Sequence, residues 1–599
     1  MKVLEYPFHS EFILKKRKSI KKELLETIDE KNVTKKKIAI LGGSTTHDFR
    51  EILELFLLNQ GIVPSFYESE YDQYWQDVMF DNEELFSFKP DLIYIHTSSR
   101  NIKEFPTGRS AEEEIQELLD STFHYFEQMW DKIAEKYQCP IIQNNFEMPF
   151  YRLLGNSDFS DPHGGVNFIN RLNGKLAAYA YKHKNFYVND IHYMASCYGL
   201  QKWADPFYWH MYKYACAVPA IPEFAYNLSH IIKSIFGKNQ KAFVLDLDNT
   251  LWGGVVGDDG ADNIEIGQET SLGQAYSEFQ WYLKLHKDLG VLLAIDSKND
   301  EANALSGLSR PDSILKPEDF LVIKANWESK DRNLIEIARE LNIGTDSLVF
   351  VDDNPAERHI VKQQVPNVKV PEMEDIVSYI TILDRSGFFE VTDLSSDDLR
   401  RNEMYHANVE RKKQEAAYTD YSEYLKSLNM SAEICPFSAV YMARIAQLTN
   451  KSNQFNLTTR RYSQAEIESY AKDPAYITLY GKLADTFGDN GVVSVVLGHI
   501  DEENIKLFHI DLWLMSCRVL KRDMELAMMD ELIARCQARG VERLRGYYYP
   551  TEKNSMVREF YSGQGFTKLS EDTDGNTVWE YPIPQVYERK NKVIRVNEA

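Results

Sequence analysis

Short apolar runs alternate with stretches of helical periodicity over the first two thirds of the chain. The runs KIAILG at 37–42, IVPSFY at 62–67 and DLIYIH at 91–96 are each separated by segments whose apolar positions recur three and four apart. Strands alternating with helices in this way predict a parallel α/β sheet. The alternation restarts near 241 with KAFVLDL, then VLLAI at 291–295, LVIK at 321–324 and SLVFV at 347–351, with a helical pattern at 275–289. Residues 396–430 are densely charged and helical in character, as expected of a connector. Beyond 436 a helix and a Thr-rich turn lead into the strands YITLYGKLADTF, GVVSVVLGHI and NIKLFHIDLWLMS, then a helix at 522–538 and the strand VERLRGYYY. That pattern predicts a mixed α+β domain. The expected segments are a helical arm (1–36), two α/β domains (37–237 and 238–395), a helical connector (396–435), the α+β domain (436–590) and a tail (591–599).

Length agrees with several cores, since 599 residues exceed what one hydrophobic core supports. Apolar residues at 43% exclude a disordered chain. The net charge of −23 argues against general binding to nucleic acid or to anionic membranes. The basic cluster KKRKSIKK at 15–22 reads as the solvated face of a helix. No apolar stretch approaches the ~20 residues that span a bilayer, and the first residues lack the pattern of a secretion signal. A cytoplasmic location is expected. The six cysteines are scattered without CxxC spacing, so neither a zinc site nor a disulfide framework is expected.

The central block carries the chemistry. Asp246 and Asp248 stand directly after the apolar run 242–245, where parallel sheets bind ligands beyond their carboxyl ends. Alone, two such aspartates are an ordinary loop feature. Three further strand ends change the picture: Ser297-Lys298-Asn299 follows VLLAI, Lys330 follows LVIK, and Asp352-Asp353 follows SLVFV. Acidic clusters beside a lysine predict a hard-cation site next to a phosphate site, and Mg²⁺ suits carboxylate oxygens. The expected metal ligands are Asp246, Asp248, Asp352 and Asp353. Lys330, Ser297, Lys298 and Thr250 are expected to hold phosphoryl oxygens. Asp246 is the expected nucleophile and Asp248 the acid and base.

These four groups in order, beginning with Asp246-x-Asp248-x-Thr250, resemble the motifs of the haloacid dehalogenase (HAD) superfamily. The longer runs LDNTLWGGVVGDDG (247–260), SKND (297–300) and VDDNPAER (351–358) resemble its FkbH-like branch more narrowly. Asp296 departs from the pattern, standing where an apolar or small residue is expected. The short spans from 252 to 297 and from 297 to 330 leave no room for a large cap domain, so the site is expected to be open. The resemblance implies a Mg²⁺-dependent enzyme that dephosphorylates 1,3-bisphosphoglycerate, or a similar acyl phosphate. It would pass the glyceryl unit through an enzyme thioester to a phosphopantetheinylated acyl carrier protein.

A thioester needs an accessible thiolate in electropositive surroundings. Cys517 follows an apolar strand and has Arg518, Lys521 and Arg522 close behind, so it is the expected acyl carrier among the six; buried packing is the competing reading for any free cysteine. The three basic residues, with Arg460 and Arg461, suit an acidic carrier protein or its pantetheine arm. The domain from 436 resembles the GNAT acetyltransferase fold, closing on KNSMVREFYSGQGF (553–566). Its cofactor-binding stretch here, RVLKRDMELAMMDEL, has Lys521 and Asp523 where glycines are expected, which argues against CoA-dependent acetyl transfer.

In the first α/β domain, KIAILG runs into GGSTT with Ser44 at the strand-to-helix turn. This resembles the SGNH hydrolase fold, with Asn101 in the place of its oxyanion-hole asparagine. The expected catalytic pair is incomplete. Asp72 stands where a glycine belongs, and ADPFYWH offers Asp205 with Tyr208 at the histidine position and His210 two further on. A retained fold used for docking is the expected role. The overall fold class is therefore α/β multidomain: an SGNH-like α/β domain, a HAD-like Rossmannoid domain without a large cap, and a GNAT-like α+β domain. Two other functions compete with carrier loading: a stand-alone phosphatase for a small metabolite, with the flanking domains as scaffolds, and a noncatalytic assembly platform.

Overall fold

A computed structural model describes residues 1–28, 33–452, 454–551 and 553–597. The chain divides into two compact units, Met1–Ile235 and Phe236–Ala599.

The first unit is a five-stranded parallel sheet. Its strands are β1 (Thr34–Gly42), β2 (Ile62–Glu68), β3 (Leu92–His96), β4 (Ile141–Asn144) and β5 (Phe186–Asn189), in the order β2-β1-β3-β4-β5. Strands β4 and β5 are absent from the sequence expectation. They are four residues each, and IIQN and FYVN are too short for periodicity to separate from loop. β3 is buried along its whole length, as a strand covered on both faces must be. The basic helix Ser10–Thr27 does not simply face solvent: Arg17 pairs with Asp48 and Glu51, and Lys21 with Glu54, on helix His47–Asn59.

The second unit contains two sheets. Four parallel strands, β6 (Ala242–Leu245), β7 (Leu292–Ser297), β8 (Val322–Ala325) and β9 (Leu348–Val351), lie in the order β8-β7-β6-β9. Their alternate side chains feed separate cores on the two faces, one around Trp252 and Phe279 and one around Leu334 and Phe350.

The other sheet holds β10 (Ser431–Cys435), β11 (Phe455–Asn456), β12 (Tyr476–Asp485), β13 (Gly488–Ile500), β14 (Leu507–Met515), β15 (Arg543–Tyr548), β16 (Thr567–Glu571), β17 (Thr577–Pro582) and β18 (Arg595–Asn597). The order is β16-β17-β15-β14-β13-β12-β10-β18, antiparallel except for β14 with β15 and β10 with β18. The connector helix Arg401–Glu415 joins this sheet to the parallel one. Asn402 donates to the carbonyls of Lys287 and Val291, and Arg411 forms a buried bidentate pair with Asp485 at 2.7 and 2.8 Å. Among the described residues no helix is long and apolar enough to cross a membrane.

Candidate active site

The carboxyl ends of β6, β7, β8 and β9 bring the four sequence groups to one edge. Because β6 lies between β7 and β9, Asp246 stands centrally, with Ser297 on one side and Asp352-Asp353 on the other. Lys330 opens helix Lys330–Glu340 just beyond β8. Oxygens of Asp246, Asp352 and Asp353 lie within 4.8 Å of one another. The Lys330 ammonium reaches Asp246 Oδ1 at 2.9 Å and Asp352 Oδ2 at 2.5 Å, and is 3% exposed.

One ammonium does not balance three clustered carboxylates. Burial, then the Asp246 charge, raises Asp352 to about 6. The same causes in the same order push Asp353 up. Burial opposes the charge on Lys330, yet Asp246 and Asp352 outweigh it and hold the ammonium above its ordinary range. Three hard oxygen donors with a deficit of positive charge fit a divalent cation such as Mg²⁺.

Asp248 is expected from sequence to be a fourth metal ligand, and the structure turns its carboxylate elsewhere. Its Oδ1 accepts from the Trp252 indole at 2.9 Å and the Val256 amide at 3.0 Å, and its Oδ2 accepts from Asn299 at 3.0 Å. The turn that does this is tight: Leu251 N–H donates to the Leu247 carbonyl, and Asn249 takes a left-handed φ of 54°. Trp252 is seated by Gly307, where an added Cβ would lie 2.8 Å from the indole. Burial comes first among the causes that raise Asp248. A carboxyl shifted upward and held apart from the cluster is suited to carrying a proton.

Two of the expected phosphate ligands have other partners here. The Thr250 hydroxyl accepts from the Asp353 amide at 3.2 Å, and Lys298 pairs with Glu357 at 2.5 Å. Ser297 is buried at the end of β7. The sequence reading leaves Trp252, Asn299, Asn333 and Arg358 without roles. Arg358 donates to the carbonyls of Asp352 and Asp353 at 2.8 and 2.6 Å, holding that loop in place. The only signal for Trp252, Asn299 and Arg358 lay in their membership of the motif runs; Asn333 had none.

Asp296, the departure from the family pattern, is fully buried. Asn333 donates to its Oδ1 at 2.9 Å, while Oδ2 has no partner. Burial raises it from 3.8 to about 8. Between those pH values the folded chain keeps a proton that the unfolded chain releases, so stability falls as pH rises across that window. Asp296→Asn is expected to flatten this slope in thermal melts from pH 4 to 8 in EDTA. Parallel pH curves for parent and variant would contradict the assignment.

The second sheet has an occupied cleft. β14 and β15 pair only from Leu507–Ile510 to Arg543–Gly546 and then part. Residues 455–458 enter the gap. β11 pairs with Leu514 and Met515; Leu457 donates to the Trp513 carbonyl and accepts from the Tyr549 amide; Thr458 bonds the Asp511 carbonyl. At the following loop Lys521 and Asp523 take φ values of 63° and 59° although neither is glycine.

Cys517 follows β14, half-buried, with its Sγ 4.0 Å from the Tyr405 hydroxyl. Its carbonyl accepts from Asn342, just past helix Lys330–Glu340. At ~1.5 Å per residue that helix separates it from Lys330 by roughly 16 Å. Arg518 and Arg522, expected to face a carrier, are buried, with Arg522 paired to Asp485 at 3.1 Å; Lys521 alone of the three is exposed. A buried acid needs a guanidinium partner, and that need decides where Arg522 goes.

In the first unit, Asn101 donates to the Gly43 carbonyl at 2.7 Å and lies 3.4 Å from Asp72, beside the turn that bears Ser44. The Ser44 hydroxyl is buried without a hydrogen-bond partner. Asp205 caps helix Pro206–Tyr212, and His210 is exposed. Neither is bonded to Ser44, and among the described residues no base accepts from its hydroxyl.

Residues 37–233 match the family model described as FkbH, N-terminal domain. The chain is similar to the N-terminal part of protein BF1531 from Bacteroides fragilis, described as containing a phosphatase domain complexed with Mg. Identity is 30%, coverage is 63% of this chain and 99% of that one, and the TM-score is 0.58. Further matches are the ribosomal-protein-S18-alanine N-acetyltransferase from Escherichia coli (13% identity, 27% of this chain and 99% of that one, TM-score 0.20) and Ard1 from Thermoplasma volcanium (18%, 26% and 99%, 0.20). Among curated proteins none matches the chain.

Proposed function

Because the chain belongs to the FkbH-like family of HAD-type phosphatases, we propose that Asp246, Asp248 and Lys330 carry out phosphoryl transfer, with Mg²⁺ as cofactor. The observation that carries this reading is the group of three carboxylates around one buried lysine. Asp246, Asp352 and Asp353 would hold the ion, which when bound neutralises phosphoryl and carboxylate charge. A carboxylate oxygen of Asp246 attacks phosphorus as the bond to the substrate oxygen breaks, and Asp248 gives that oxygen its proton. Asp248 then takes a proton from the water that cleaves the aspartyl-phosphate, releasing phosphate and restoring Asp246. Its raised proton affinity suits both halves of this cycle. Lys330, 2.9 Å from Asp246, orients its carboxylate, and Ser297 lies at the neighbouring strand end to meet phosphoryl oxygen.

At the finer level, the substrate is 1,3-bisphosphoglycerate or a similar acyl phosphate, and the acceptor is the phosphopantetheine thiol of an acyl carrier protein. Cys517 is the proposed intermediate acyl carrier: its thiolate attacks the acyl carbon and displaces the 1-phosphate, the Asp246 cycle hydrolyses the 3-phosphate ester, and the carrier thiol then attacks the acyl carbon and releases Cys517. The N-terminal unit is a docking scaffold with an SGNH-like fold, since among the described residues no base accepts from Ser44. Carrier protein incubated with enzyme, Mg²⁺ and 1,3-bisphosphoglycerate is expected to gain the mass of one glyceryl unit, and Cys517→Ala to abolish that gain without stopping phosphate release. The span of roughly 16 Å between Cys517 and Lys330 and the burial of Arg518 and Arg522 favour a second reading, a stand-alone phosphatase. Phosphate release with unmodified carrier would select it.

A further inference from the structure

The first unit contains a cavity of about 160 Å³, open to solvent, beyond the carboxyl ends of β3 and β4. Its walls include Phe105, Phe150, Tyr151, Trp203 and Trp209, and Ser44 is not among the lining residues. Such walls suit a small organic molecule.

Arg100 is the one lysine or arginine lining it. The guanidinium sits 4.9 Å from the Phe150 ring centre and 5.4 Å from that of Trp209. Two rings flank the guanidinium, yet among the described residues its side chain makes no hydrogen bond or ion pair. The cavity's carboxylates accept hydrogen bonds from other groups, although Glu147 also feels the Arg100 charge. Glu147 accepts from the Ser99 amide at 3.1 Å and the Ser99 hydroxyl at 2.8 Å, and Asp158 accepts from the amides of Leu154 and Val166 at 3.2 and 2.7 Å. Asp205 accepts from Phe207 N–H at 2.9 Å, and His163 is bonded to Asp161 and to the Ser110 carbonyl. Arg100 therefore presents oriented, unused donors inside an aromatic chamber.

A guanidinium beside aromatic rings keeps its fork of donors for carboxylate or phosphate oxygens, and the rings favour an apolar body. We propose that this cavity binds an organic anion, a carboxylate or phosphate-type head on an apolar chain or ring, with the head on Arg100. The inference is independent of the phosphatase chemistry, because every residue it uses belongs to the first unit.

The test uses the full chain, with octanoate and phenylphosphonate as probes and 1-octanol and phenol as neutral counterparts. Titration calorimetry and tryptophan fluorescence, to which Trp203 and Trp209 contribute, read the binding. Both anions are expected to saturate the protein, with each neutral counterpart at least tenfold weaker. Arg100→Gln is expected to lose at least tenfold in affinity for both anions, with Arg100→Lys between it and the parent. This variant comparison also separates the cavity from the carboxylate-and-lysine site, where phenylphosphonate binding would be indifferent to residue 100. The parent's preference for anion over neutral analogue stands as a test even if the glutamine variant misfolds. The proposal is overturned if neither anion binds, if the neutral analogues bind as tightly, or if folded Arg100→Gln binds the anions within twofold of the parent.

Discussion

Lys330→Met is expected to destabilise the second unit by about 3–5 kcal/mol in EDTA, the range for removing one partner of a buried ion pair. The side chain is buried against Asp246 and Asp352, and its removal leaves three carboxylates within 4.8 Å without a cation. The penalty has a direction in pH. Asp352 is already raised to about 6 from 3.8 by burial and the Asp246 charge, so the folded state binds a proton more readily than the unfolded state. Stability from this group is greatest below about pH 4 and falls as pH rises through 6, more steeply once the lysine is gone. Chemical denaturation at pH 5 and pH 8 reads both effects, and Mg²⁺ is expected to restore part of the loss at pH 8. A variant as stable as the parent at pH 8 in EDTA would show that the ammonium does not balance this cluster.

Asp246→Asn is expected to lower the turnover of phosphate release by roughly four orders of magnitude or more, as removal of a covalent nucleophile does. Here the fold is not at risk. The substitution takes one charge from a crowded set, and the Asp246 charge is among the causes that raise Asp352, Asp353 and Asp296. The thermal midpoint in EDTA is therefore expected to stay level or rise while activity disappears. Steady-state release of phosphate beside a melting curve checks the pair of outcomes. Turnover within tenfold of the parent would place the nucleophile elsewhere.

These two residues could be picked out because their chemistry is local in sequence. Asp246 follows a four-residue run that is fully buried as β6, Asp352-Asp353 follow an equally buried run at β9, and Lys330 lies just beyond the more exposed β8. An apolar run marks a strand, and parallel strands carry their ligand groups at one end. The order of the groups along the chain was then enough to bring them together. Asp296 was visible as a departure from pattern, though its burial was not.

The C-terminal sheet shows where such reading stops. Arg518 and Arg522 sit next to Cys517 in sequence and suggest a basic face, yet Arg522 turns inward to Asp485, which Arg411 of the connector also holds. The residues that fill the gap between β14 and β15 come from 455–458, a segment remote in sequence from Trp513 and Tyr549, whose backbone groups it satisfies. No periodicity signals a hydrogen bond between such distant positions; it forms because parted strands leave donors and acceptors that burial obliges the chain to pair. What the sequence by itself determined was the set of strand ends and the acids and lysine placed on them. Which carboxylates lie close enough to share a cation, which arginines face solvent, and whether the second sheet keeps an open cleft were decided only by tertiary packing, because each depends on partners that folding brings from elsewhere in the chain.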